Sequence, residues 1–201
     1  MTLAFTTLGP EGSCHENAVA HYLEFQRVRE HSRIDFCLDF REGLERLHDG
    51  HSDFLVQCSA HPEVHVITER YVGDIHVVDT FIYPTKELVL LTRADVVKPR
   101  SLGLVPATAG YVAVEEWETV IPEPSKPVVG RKLLAGEYDS GLTHLEYLAQ
   151  SGGTLRLDRY IGAVTTTWLV YGRRPRFDGN VIGTPCRDFL LAAPQPEGSQ
   201  P

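Results

Sequence analysis

Hydrophobic and polar positions along the 201-residue chain switch repeatedly between two periods, and each switch marks an element. "LAFTTL" (3–8) alternates loosely and predicts a strand. From Cys14 to Phe25 the period turns helical, with Ala18, Tyr22 and Phe25 expected on one side. "RIDFCL" predicts a second strand. "DFREGLERLHDG" predicts a helix with both ends marked, since Asp39 suits the N-cap, Glu42 follows three residues later and Gly50 stops the run. "FLVQCS" reads as a short buried strand, and "IHVVDTFIY" and "ELVLLT" as further extended pieces.

The second half repeats this grammar. "SLGLVP" predicts a strand and "TAGYVAVEEW" a helix. "SKPVVGRKLLAGEY" opens on Ser125, carries Pro127 in its first turn and ends near Gly136. "YDSGL" is a short strand, and "THLEYLAQSGG" starts a helix with the capping pair Thr143 and Glu146. "TLRLDRYI" and "TTTWLVYG" close the series.

Strand and helix thus alternate twice, which implies an α/β fold of two small lobes with mainly parallel sheets. The last strand, from Thr165 to Tyr171, comes too late for the second unit and is expected to return to the first. That gives a double crossover near Thr80 and Ala163, with a ligand cleft between the lobes. The first lobe is expected to take residues 1–80 and 164–193, and the second 81–163. The polar, proline- and glycine-rich tail 194–201 is expected to be disordered.

A net charge of −8 argues against nucleic acid as a partner but leaves room for a local electropositive site. The N-terminal stretch lacks a basic run before a long apolar core, and no apolar stretch has membrane-spanning length, so the expected location is the cytoplasm, with no membrane partner. Cys14, Cys37, Cys58 and Cys186 are widely spaced, and free thiols are expected.

"GPEGS" is the stretch with candidate chemistry. Its glycines permit positive φ and close backbone approach to a ligand, and Ser13 with Glu16 fits a capping box. A capped turn without a ligand uses these same parts. Functionally, a helix start offers unpaired amides and a partial positive charge to a carboxylate or phosphate. The starts at Glu11, Gly12, Ser13 and Cys14, at Thr108 and Ala109, and at Ser125 are the candidates. The ending of a phosphate-binding P-loop is missing.

Other constellations point less far. "HENAVAH" sets His15 and His21 six residues apart, which turns the two rings away from each other on a helix. "HDGH" and "HPEVH" each bring two histidines without a third ligand, so neither a metal nor a cofactor is expected. Cys14 at a helix start is expected to have a lowered pKa, although no base partner is evident. Thr165 to Thr167 is a β-branched run that also suits a plain strand.

Taken together, "TLGPEGSCHENAVAHY", "FREGLERLHDGHSDFLVQ" and the stretch from "SKPVVGRK" to "TTTWLVYGR" resemble the prephenate dehydratase catalytic domain over most of residues 3–173. The resemblance implies a two-lobe, periplasmic-binding-protein type II-like design and a homodimer. Two motifs depart from the family. Its closing Thr-Arg-Phe is occupied by Thr166, Thr167 and Trp168, and its Pro-Ile-Glu-Asn-Ser segment by "QCSAHPE", which includes Cys58, Ser59 and His61. The regulatory ACT domain has no counterpart, so feedback inhibition by phenylalanine is not expected.

These departures are similar to the prephenate decarboxylases of bacilysin and dihydrotyrosine-type antibiotic pathways. That likeness implies decarboxylation of the dicarboxylate prephenate without aromatisation, giving a dihydro-4-hydroxyphenylpyruvate. Loss of CO2 pushes an electron pair into the ring. If an acid protonates the ring hydroxyl, water leaves and the ring becomes aromatic; if a ring carbon takes the proton, the hydroxyl stays. The site must therefore hold two carboxylates, desolvate one and withhold help from the hydroxyl. The helix starts and Ser59 would bind carboxylates, Thr166 and Thr167 would orient the ring or its hydroxyl, and Cys58, His61 or water would supply the proton. A divergent dehydratase and a non-catalytic cytoplasmic binder of a small anion are the alternatives.

Overall fold

The computed structural model describes residues 2–184, Val66 without its side chain; Cys186 and the 194–201 tail lie outside the described residues. Ten strands form two five-stranded sheets. In chain order they are β1 (Leu3–Leu8), β2 (Ser32–Cys37), β3 (Phe54–Cys58), β4 (His76–Pro84), β5 (Leu88–Arg93), β6 (Ser101–Leu104), β7 (Thr119–Pro122), β8 (Ser140–His144), β9 (Leu155–Gly162) and β10 (Thr165–Gly172). The first sheet runs β2-β1-β3-β10-β4 and the second β7-β6-β8-β5-β9. Five α-helices cover them: α1 (Cys14–Phe25), α2 (Phe40–His48), α3 (Val64–Arg70), α4 (Lys126–Leu134) and α5 (Glu146–Gln150). Each lobe is one sheet with its helices.

The chain passes from the first sheet to the second across residues 85–87 and back across 163–164, where β10 inserts between β3 and β4. That return makes the sheets mixed rather than mainly parallel. β10 is antiparallel to both β3 and β4, and β5 is antiparallel to both β8 and β9. A chain that crosses between lobes arrives from the far end of the neighbouring sheet, so the arriving strand runs against its neighbours.

Helix ends follow local chemistry where a side chain is free to cap. Ser13, Asp39 and Ser125 each accept from the backbone amide three residues on. Gly50 and Gly136 take positive φ just past the ends of α2 and α4. Two expected helix starts differ. Residues 106–116 form two short 3-10 turns (Pro106–Tyr111 and Val114–Glu116) instead of a helix from Thr108, because the Thr108 hydroxyl donates back to the Val105 carbonyl. Thr143 lies inside β8, fully buried, and donates to the Lys126 carbonyl; α5 begins at Glu146 without a side-chain cap.

Both faces of each sheet are covered. In the first lobe, Cys14, Ala18, Val19, Tyr22 and Leu23 of α1 pack on Val56, Cys58, Trp168 and Val170. Phe25 is 80% exposed, since the buried stripe of α1 runs through Val19 and Leu23 instead. The opposite face carries Phe40, Leu44 and Leu47 of α2 with Ile67 and Tyr171. The second lobe buries Val129 and Leu133 of α4 with Tyr138 and Tyr147 on one face, and Leu102, Trp117 and Leu142 on the other.

Candidate functional site

The lobes touch at the start of α1. Cys14 is the first residue of that helix, and its Sγ lies 3.3 Å from Nε2 of His144, the last residue of β8 in the other lobe. Both side chains are buried. Lys86, in the segment linking the lobes, donates through Nζ to the Gly12 carbonyl at 3.1 Å and forms an ion pair with Glu146 at 2.6 Å. Its backbone amide favours the thiolate form of Cys14. His144 Nδ1 is buried without a hydrogen-bond partner, 3.9 Å from the nearer Glu146 oxygen.

The cation central to this cluster is Lys126. Its charge acts on Cys14, His15 and His144 alike. Among the described residues it makes no ion pair, although it is half-buried. It occupies the first position of α4, held there by Ser125 as N-cap and by the Thr143 hydroxyl on its own carbonyl. A cation in the first turn opposes the helix dipole, so this position costs stability where a glutamate would add it. Such a local conflict is characteristic of functional positions.

Burial dominates the titration of the cluster. It pushes the Cys14 thiol up from its usual value, against the opposing pull of Lys126 and of the Lys86 amide. The lowered pKa expected from the helix start is thus overridden by desolvation. His144 is pushed down to about 3 by burial, then by Lys86 and Lys126. His15, edge-on to Trp168 at 5.2 Å between ring centroids, is also pushed down to about 3, by burial, then by His61 and Lys126. The resting site is therefore a neutral thiol and neutral imidazoles around an ammonium group.

Those two histidines take up a proton in the unfolded chain near pH 6.5 but refuse it in the fold down to about pH 3. Stability is accordingly full above about pH 6.5 and is lost as pH falls, with a limiting slope of about 1.4 kcal/mol per pH unit for each group. The urea midpoint is expected to drop between about pH 7 and about pH 5, and His144→Gln to flatten that drop; equal slopes in the two proteins would contradict it.

The other predicted residues fall as follows. Thr166 Oγ1 has Ser59 Oγ at 3.5 Å and Cys58 Sγ at 3.7 Å, so those three gather at the end of β3. Thr167 neighbours Thr166 on β10 and therefore points to the opposite face. His61 is half-buried edge-on against Phe40, and its Nδ1 accepts from the Glu63 amide. Gly12 has φ +82°, and its amide donates to the Glu16 carboxylate, while the Ser13 amide donates to the Pro10 carbonyl. Glu11 is exposed. The amides of Cys14 and His15, at the first two positions of α1, have no carbonyl to reach within the helix. Thr108 and Ala109 sit in a 3-10 turn, not at a helix start.

Two cavities of 330 Å³ lie away from this contact. One is beside Tyr22, Asp79 and Arg176 on the first lobe, and the other beside Asp95, Leu133 and Leu155 on the second. The 3.3 Å contact between Cys14 and His144 leaves no room for a ligand between those two atoms. Among the described residues no three histidine, cysteine or acidic side chains are grouped to hold a metal ion, and no helix is long and apolar enough to cross a membrane.

Two α/β lobes joined by a double crossover are the architecture of the periplasmic-binding-protein type II class, and solved structures of that class share it. Among them is the prephenate dehydratase of Arthrobacter aurescens in complex with L-Phe, 16% identical, TM-score 0.64, matched over 89% of this chain and 63% of that one. This chain thus spans less than two thirds of that protein. Others are GqqA, described as a novel type of quorum-quenching acylase (15% identical, TM-score 0.53, 91% and 67% covered), and the periplasmic VFT2 domain of Bordetella pertussis BvgS (13%, 0.53, 85% and 80%). No family model matches the sequence, and no curated protein matches it.

Proposed function

We propose that the chain is a prephenate decarboxylase whose product keeps its ring hydroxyl. The observation that carries this reading is the setting of Thr166. Among the described residues its hydroxyl has another hydroxyl and a thiol, Ser59 and Cys58, as hydrogen-bonding neighbours, beside the position where the resembled dehydratase motif carries arginine. Among the described residues no carboxyl, ammonium or guanidinium group hydrogen-bonds Thr166, so no strong acid is placed there to expel the ring hydroxyl as water. Aromatisation is thereby left unassisted.

The cleft supports the rest. Lys126, which makes no ion pair among the described residues, is a cation for one carboxylate, and the amides of Cys14 and His15 at the start of α1 suit the second. The buried rings of Trp168 and Phe40, with the half-buried neutral ring of His15, provide an apolar surround. A carboxylate moved from water into such surroundings is destabilised relative to the charge-dispersed transition state of CO2 loss. Substrate enters as the lobes part about the two linking segments, 85–87 and 163–164. A homodimer and a place in specialised-metabolite synthesis belong to this reading through the sequence resemblance.

Incubation with prephenate, followed by ultraviolet absorbance and proton NMR, tests the proposal. A non-aromatic, hydroxyl-bearing keto acid is expected. Phenylpyruvate would make the protein a divergent dehydratase, and unchanged substrate would make it a binder of small anions.

A further inference from the structure

The Cys14–His144 contact joins a thiol from one lobe to an imidazole from the other at the point where the proposed substrate must sit. Decarboxylation leaves an electron pair in the ring that needs a proton on carbon. We propose that the Cys14 thiol donates that proton and that His144 positions it and receives the thiolate; this inference rests on the decarboxylase reading above.

Three observations carry it. First, the partner of Cys14 is itself incompletely bonded: His144 is 1% exposed and its Nδ1 meets no donor or acceptor. A buried N–H without an acceptor is rarer and more costly than a bare ring lone pair, so the proton belongs on Nε2. With that tautomer the imidazole donates to the sulfur, and the S–H bond is free to point elsewhere. The 3.9 Å gap to Glu146, whose carboxylate is held by Lys86, agrees, since a proton on Nδ1 would draw that carboxylate into hydrogen-bond range. Second, the sulfur is surrounded by what a nascent thiolate requires: His144 Nε2, the Lys86 amide and the nearby Lys126 charge. Third, Cys14 and Cys58 belong to one buried cluster with Trp168, and Cys58 Sγ is 3.7 Å from Thr166 Oγ1, so the donor lies beside the Thr166 group.

The step balances without a co-reactant. The bond between the ring carbon and its carboxylate breaks, CO2 leaves, and the electron pair passes through the diene. A carbon of that system forms a C–H bond as the S–H bond breaks, and the thiolate regains a proton from water when the product departs. A thiol bound to one wall of the cleft delivers from one face of the ring only.

The test is turnover of prephenate in deuterium oxide by the wild-type protein, Cys14→Ala and His144→Leu, with circular dichroism to verify folding. Wild type is expected to place deuterium on one face of one ring carbon. Cys14→Ala is expected to lose about a hundredfold in kcat with KM within a few-fold, and to carry deuterium on both faces. His144→Leu, which keeps the thiol, is expected to lose facial selectivity without losing substrate affinity. Should Cys14→Ala fail to fold, Cys14→Ser preserves the volume and is expected to retain selectivity at reduced kcat. A folded Cys14→Ala, or a Cys14→Ser as fast as wild type, with single-face deuterium in the former, overturns the proton-donor role while the decarboxylase reading stands. A wild-type protein that releases no CO2 overturns both.

Discussion

Lys126→Met is expected to weaken prephenate binding by two to three orders of magnitude while leaving the fold as stable as before or slightly more so. The two halves of this expectation come from one position. Lys126 lies in the first turn of α4, where its charge opposes the helix dipole, and removing it should stabilise the helix by about 0.3–1 kcal/mol. The same ammonium is half-buried, makes no ion pair among the described residues, and acts on Cys14, His15 and His144 at the lobe contact. Loss of one partner from a buried charge pair costs about 3–4 kcal/mol, and each 1.4 kcal/mol is about tenfold in affinity. Calorimetric titration and a thermal melt on the same variant separate the effects. Affinity within a few-fold of wild type would remove Lys126 from the site, and a collapsed melt would make it structural.

Trp168→Ala is expected to have the largest effect on folding, about 3–5 kcal/mol. The indole is completely buried in β10, stacks on Phe81 at 6.2 Å, and donates through Nε1 to the Tyr83 carbonyl at 2.9 Å. Its strand is the one that returns from the second lobe, and its backbone pairs with Cys58 and Phe81 on either side. The cavity would open beneath Cys14 and beside His15. Trp168→Phe retains most of the apolar area and gives up one hydrogen bond, so about 1–2 kcal/mol is expected there. Urea unfolding of the two variants provides the comparison. Similar losses in both would mean that the hydrogen bond, not the packed volume, holds the strand.

The return of this strand is legible in the sequence because its position in the series is wrong for the second lobe. Elements with local signals read equally well: Asp39 and Ser125 cap α2 and α4, and Gly50 and Gly136 end them. The failures have physical causes too. Thr143 and Glu146 have capping-box spacing, yet Thr143 is drawn into β8 by the Lys126 carbonyl and Glu146 is taken by Lys86. The run from Thr108 has helical periodicity, but the threonine hydroxyl turns back on the Val105 carbonyl and Gly110 follows. α3 and β7 carry no strong cap or alternation, so the sequence does not announce them.

The site is legible in part for the same reason. Thr166, Cys58 and Ser59 do meet, because β10 pairs with β3. The meeting of His144, Lys86 and Lys126 with Cys14 arises only from the contact between lobes, which local patterns do not announce. Only Lys126 leaves a trace in the sequence, as a lysine directly after the capping serine in "SKP", where a helix normally favours an acid. Cys14 stands out in the sequence for the wrong reason: its helix start should lower its pKa, but burial keeps the thiol protonated, the state a proton donor requires.

The most direct measurement uses prephenate carrying carbon-13 at the hydroxyl-bearing ring carbon, followed by NMR together with CO2 release. One CO2 per substrate consumed is expected, with a labelled carbon that stays saturated and hydroxylated. A labelled carbon that appears at an aromatic shift, or a substrate signal that persists with no CO2 evolved, would contradict the decarboxylase reading.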